Sequence, residues 1–208
     1  MLRSMVEHVT DDAAQCGIQV RDKTVTFRDA VEYLYITDDD FFGQVNGFGD
    51  QYIREMMTRF RHRKLFVRCL EISRRTITNW DGYGRQSLND LLARNAVAGV
   101  EAEIYKRALG TTRITNKYDV RLSIPKVPKI KTENALVQTA KGQKIENIAE
   151  YFPMEQLTES YAFNKWRSYV YAPKEIATQV RDAAISVLGD SLKLEINREK
   201  SNEVCKLM

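Results

Sequence analysis

The chain has 208 residues, 43% of them hydrophobic and 29% charged, which suits one globular domain or two small ones with a real core. Its net charge of +4 permits anionic partners without demanding them, and no apolar run approaches membrane-spanning length. Cys16, Cys69 and Cys205 are widely separated and odd in number, which excludes a disulfide framework and a Cys/His zinc pattern and predicts a reducing, cytoplasmic setting, or the nucleus in a eukaryote.

The N-terminal part reads as helical. Leu2, Met5, Val6, Val9 and Ala13 recur at helical spacing up to Gly17, and Arg3, Glu7, His8, Asp11 and Asp12 on the same segment exclude a signal peptide. Ile18 to Phe27 is polar and β-branched, a short hairpin or an extended connector. Thr26-x-x-Asp29 and Thr37-x-x-Asp40 both have the form of a capping box, in which a hydroxyl and a carboxylate satisfy the first N–H groups of a helix. The second predicts a short helix from Asp38 to Val45, ending at Asn46-Gly47-Phe48-Gly49. Asp50 then caps a helix whose apolar positions are Ile53, Met56, Met57 and Phe60.

From Lys64 the period changes. Leu65 to Ile72 has the content of a buried strand. A turn at Asp81-Gly82-Tyr83-Gly84 precedes a helical stretch capped by Ser87-x-x-Asp90 and running through Leu88, Leu91, Leu92, Val97, Val100, Ile104 and Ala108. Asp119 to Ile124 alternates, with Val120, Leu122 and Ile124 on one face. Pro125 to Lys131 is a proline-punctuated connector bearing Lys126, Lys129 and Lys131. Ala135 to Thr139 is extended and Ile145 to Tyr151 leads to Pro153. A helix over Met154 to Phe163, a strand over Lys165 to Tyr171 and a helix opened by Pro173 complete the order. This predicts an α+β fold: a helical N-terminal lobe over 1–63, then a ferredoxin-like βαββαβ lobe with a C-terminal helix over 64–208.

No nucleophile–base pair emerges. His8 and His62 are the only histidines, neither has a second histidine at ligand spacing, and GxSxG and P-loop patterns are missing. Asp38-Asp39-Asp40 reads as a dipole-complementing helix start rather than a metal site. The expectation is no catalytic residue, no metal ligand and no cofactor in this chain.

Two surface patterns are candidates for binding. The run Met57-Thr58-Arg59-Phe60-Arg61-His62-Arg63-Lys64-Leu65-Phe66-Val67-Arg68-Cys69-Leu70-Glu71 reads as a helix ending in an Arg-rich corner that feeds a strand. Such a corner is either a solvated helix end or a site for a polyphosphate, because arginine offers a fixed fork of donors. In the strand over 165–171, Lys165, Arg167, Tyr169 and Tyr171 share one face. That face is either packed beneath a helix or a platform for single-stranded nucleic acid.

Three segments in order resemble HD-superfamily phosphohydrolases of the dNTP triphosphohydrolase type, including those with SAM and HD domains. They are Tyr35-Ile36-Thr37-Asp38-Asp39-Asp40, Arg61-His62-Arg63-Lys64-Leu65-Phe66 and Phe163-Asn164-Lys165-Trp166-Arg167-Ser168-Tyr169-Val170-Tyr171-Ala172-Pro173. The resemblance spans nearly the whole chain and is vaguest over 76–149. It implies a C-terminal portion, with the metal-binding HD half upstream of the helix that begins at Met1, so a divalent metal belongs to that half alone. It further implies an R-x-L-F corner that lends basic residues to an allosteric nucleotide site at a subunit interface. Arg63 is the implied effector contact, with Lys64 and Arg68 beside it, and Val67 stands where the mammalian-type pattern has a lysine. The partners so implied are further copies of the chain and a nucleotide effector, with no membrane.

Overall fold

The computed structural model describes residues 1–11, 17–20, 22–25, 34, 36–45, 50–110, 116–126, 136–138, 145–147 and 164–205. The Thr26-x-x-Asp29 box, most of the Pro125–Lys131 connector and the helix expected over 154–163 lie outside these residues. The elements in chain order begin with α1 (Leu2–Asp11), a hairpin of β1 (Ile18–Val20) and β2 (Lys23–Val25), α2 (Asp38–Val45) and α3 (Gln51–Arg61). Then come β3 (Val67–Ile72), a π-helical turn (Trp80–Gly84), α4 (Arg85–Ala93), α5 (Val97–Leu109), a 3-10 turn (Lys117–Asp119) and β4 (Arg121–Ser123). The remainder is β5 (Leu136–Gln138), β6 (Ile145–Asn147), β7 (Ser168–Ala172), a 3-10 turn (Lys174–Ile176), α6 (Ala177–Leu192) and α7 (Arg198–Cys205). Among the described residues no helix is long and apolar enough to cross a membrane.

The chain divides into two compact units. The first comprises Met1–Cys69, Glu101–Arg121 and Tyr171–Ala183. Its elements form where local chemistry directs them. The Thr37–Asp40 box is made as expected: the Asp40 carboxylate accepts from the Thr37 N–H at 3.1 Å, and the Thr37 hydroxyl accepts from the Asp40 N–H at 3.2 Å. Asp50 caps α3 by accepting the Ile53 N–H at 2.9 Å. On α3, Tyr52, Ile53, Met56 and Met57 face inward and meet Met5, Val9, Ile18, Phe41 and Tyr118 in one core cluster. Each such side chain contributes about 1.5–3 kcal/mol of apolar burial. Two charged clusters of the same unit are paired, with the His8 Nε2 3.0 Å from an Asp50 carboxylate oxygen and the Arg121 guanidinium bound by Glu7 at 2.5 Å and Glu101 at 3.3 Å.

The second unit comprises Leu70–Val100, Leu122–Val170 and Ala184–Met208. Leu70, Ile72, Leu88, Leu91, Leu122, Val170, Val187 and Leu188 are buried in it, and Trp80 and Trp166 pack with ring centroids 5.4 Å apart. The Asn79 side chain clasps the segment before α7, donating to the Lys193 carbonyl at 2.7 Å and accepting from the Glu195 N–H at 3.1 Å.

The α+β class is borne out, but the ferredoxin-like sheet is not. Strands β3, β7 and β4 form a three-stranded sheet in that order, while β5 pairs with β6 in an antiparallel hairpin of its own. The fourth extended piece therefore finds its partner nine residues away, where loop closure is cheap, instead of joining the larger sheet. Three local readings also change. The helix expected from Ser87 starts at Arg85 out of the π turn, so Ser87 lies inside it and caps nothing. The long helix breaks at Arg94–Ala96 into α4 and α5, with Asn95 in the left-handed region at φ +51°. The helix opened by Pro173 is followed by a further one, α7, which the weakly periodic Arg198–Cys205 did not announce.

Candidate functional site

The basic corner is built by the end of α3. Arg59 and Arg61 fall in its last turn, where cations complement the helix dipole. The chain then leaves through a Schellman motif: the Lys64 N–H donates to the Arg59 carbonyl at 2.8 Å and the Arg63 N–H to the Phe60 carbonyl at 3.0 Å. This closure requires a left-handed residue after the cap, a position glycine usually fills, and here it is Arg63 at φ +55°. Arg61, His62, Arg63, Lys64 and Leu65 are all exposed before the chain enters β3, on which Arg68 is exposed as well. Among the described residues neither Arg61 nor Arg63 has an ion-pair partner. The corner is thus a hydrogen-bonded turn presenting basic side chains to solvent.

Beside it lies a groove of about 390 Å³ lined by Gln51, Arg54, Glu55, Thr58, Arg59, His62, Lys64 and Glu175. Residues 51, 55 and 59 form one ridge of α3 and 54, 58 and 62 the next, since side chains four apart stack on the same face. Glu175, from the 3-10 turn over 174–176, closes the far side by accepting from Arg59 at 3.2 and 3.5 Å. Its carboxyl sits below the usual carboxylate range, chiefly through a backbone N–H bond and further through Arg59 and Lys64, against the opposing effect of burial. Glu55 is held by the Gln51 amide at 3.0 Å.

The structure therefore brings Lys64 into the groove, sets Arg63 on the adjacent turn and places Arg68 on the following strand. Thr58 and Arg59 of the basic run also line the groove, whereas Arg54 and Glu175 are groove residues that the sequence did not single out. The solvent side of α3 was predictable from its apolar face, but Glu175 lies 116 residues away from Arg59 and no local pattern links the two.

The second candidate face is arranged differently from expectation. Strand β7 starts at Ser168, so Lys165 lies in a helical turn and Arg167 in the approach to the strand, and only Tyr169 and Tyr171 share a strand face. Those two tyrosines are half-buried between the buried Ser168, Val170 and Ala172. Arg167 is recruited inward: its guanidinium lies 3.2 Å from the carboxylate of Glu71, which is 3% exposed, and donates to the Asn164 and Trp166 carbonyls at 2.6 and 2.9 Å. The Ser73 hydroxyl donates to the same carboxylate at 2.7 Å. A buried carboxylate needs such partners, and Arg167 meets that need.

Among the described residues no group of three or more His, Cys, Asp or Glu side chains is arranged to hold a metal ion. A family model described as HD associated region matches residues 7–202. No curated protein and no solved structure matches the chain.

Proposed function

The chain belongs to the HD associated region family, which ties it to HD-domain proteins, and on that premise we propose that it is the regulatory and assembly portion of a nucleoside triphosphate phosphohydrolase. The parent reaction is metal-assisted hydrolysis of a deoxynucleoside triphosphate, carried out by the HD half with its own divalent metal. This portion contributes contacts between copies and a nucleotide effector site at the Arg63 corner, with Lys64 and Arg68 beside it. The single observation that carries the reading is Arg63 itself. A residue with a long charged side chain occupies a left-handed position suited to glycine, and its guanidinium has no ion-pair partner among the described residues. Backbone outliers of this kind concentrate where a side chain is put to use, and arginine's planar fork matches a phosphate group.

The test is calorimetric titration of the chain with GTP, dGTP, dATP and a short single-stranded oligonucleotide at two salt concentrations. Saturable nucleotide binding that is lost in Arg63→Ala is the expected result, together with self-association and no hydrolysis by the chain alone. Binding of the oligonucleotide without any mononucleotide, steeply salt-dependent and weakened by replacing Tyr169 and Tyr171, would overturn it in favour of a nucleic-acid module.

A further inference from the structure

We propose that the groove on α3 binds the phosphate chain of the effector, and that Glu175 competes with that chain for Arg59. The groove gathers the cations Arg54, Arg59 and Lys64, and its volume of about 390 Å³ falls in the range of small-ligand sites. Guanidinium groups bind carboxylate and phosphate oxygens alike, and in this groove the Arg59 guanidinium already holds a carboxylate through one of its nitrogens. Glu175 is that carboxylate, at 3.2 and 3.5 Å from the Arg59 Nη1.

The two carboxylates in the groove differ in their ties. Glu55 accepts from Gln51 at 3.0 Å along the ridge of its own helix. Glu175 arrives from a separate turn, and its side chain is 63% exposed against 30% for Arg59. Withdrawal of Glu175 into solvent forfeits a weak exposed ion pair and a backbone N–H bond that water replaces. Replacement of the Glu175 carboxylate by a polyphosphate leaves Glu55 in place and sets a multivalent anion, instead of a single charge, against Arg54, Arg59 and Lys64. The device is a built-in threshold: Glu175 lowers affinity for weakly charged anions and yields to a di- or triphosphate. It rests on the effector reading for its ligand class, but it concerns different residues, so the two can fail separately.

Calorimetric titration of the full chain with inorganic tripolyphosphate and with dGTP tests it in the wild type, Glu175→Gln, Arg59→Ala and Arg63→Ala. Glu175→Gln keeps the side chain's size while removing its charge. It should bind tripolyphosphate about two- to five-fold tighter, the scale of one exposed ion pair, and Arg59→Ala should bind it at least about ten-fold more weakly. Glu175→Gln binding no tighter than the wild type, with dGTP binding still lost in Arg63→Ala, would overturn the groove inference and leave the effector reading standing. Tighter binding by Glu175→Gln that survives in Arg63→Ala would support the groove and remove Arg63 from the site. Absence of binding in every variant would overturn both.

Discussion

Replacement of Arg63 by glycine separates its backbone role from its side-chain role. An L-residue in the left-handed region costs about 1–2 kcal/mol, and Arg63 sits there at φ +55° to close the end of α3. Glycine removes that cost but adds about 0.5–1 kcal/mol of unfolded-state entropy. The balance is a gain of about 0.5 kcal/mol for Arg63→Gly, or about 1–2 °C in Tm for a chain of this length. Arg63→Ala keeps the left-handed cost and should leave stability unchanged within about 0.5 kcal/mol. Both variants lose the guanidinium, and removal of a charge-assisted hydrogen bond weakens binding about ten- to a hundred-fold. Urea denaturation of the three proteins, followed by dGTP titration of each, measures both quantities. Destabilisation by more than about 1 kcal/mol in both variants would refute the reasoning, because it would mean that the arginine side chain is itself a structural contact.

Two further outcomes follow from buried charge. Arg167→Ala strips the buried Glu71 carboxylate of its guanidinium, leaving it the Ser73 hydroxyl as a donor, and should destabilise the chain by about 2–4 kcal/mol in thermal or urea unfolding. Adding Glu71→Gln should recover part of that loss, and full additivity of the two changes would show that the pair is not coupled. In acid, Glu7 and Asp50 set the direction: burial raises both pKa values, but Arg3 and Arg121 on Glu7, and His8 and the Ile53 N–H on Asp50, outweigh it and hold both carboxyls below their ordinary values. Groups depressed in the folded state stabilise it fully above their unfolded pKa values, near 4.5 and 3.8, and lose that contribution as pH falls through the folded values. Stability from urea midpoints should therefore hold level above about pH 5 and decline below pH 4, and a rise in stability on acidification through this window would contradict the assignment.

Much of the first unit was legible because its signals are short-range. A threonine three residues before an aspartate, an Asp50 ahead of an amphipathic run and the β-branched stretch from Ile18 to Phe27 each act over a few residues of chain. The misreadings share a different origin. Ser87-x-x-Asp90 has the same spelling as the box at Thr37, yet the helix there was already under way from the π turn at Trp80–Gly84. Alternation placed Arg167 on one strand face with Tyr169 and Tyr171, but it precedes the strand, and a buried carboxylate 96 residues earlier in the chain pairs with it. The order of strands, and the meeting of Glu175 with Arg59, likewise depend on which distant segments come together, and a single sequence carries no period that encodes such pairings. The corner at Arg63 was visible as composition, whereas its left-handed backbone, the feature that makes the arginine informative, was not.

The packing of Trp80 against Trp166 has a practical use. They are the only two tryptophans in the chain, both are nearly buried, and both belong to the second compact unit. Tryptophan emission during unfolding is consequently a spectroscopic reporter of that unit, while far-ultraviolet circular dichroism registers the helices of both. Superimposed denaturation curves from the two signals would mark one cooperative transition, and displaced curves would date the loss of one unit against the other, without any label being introduced.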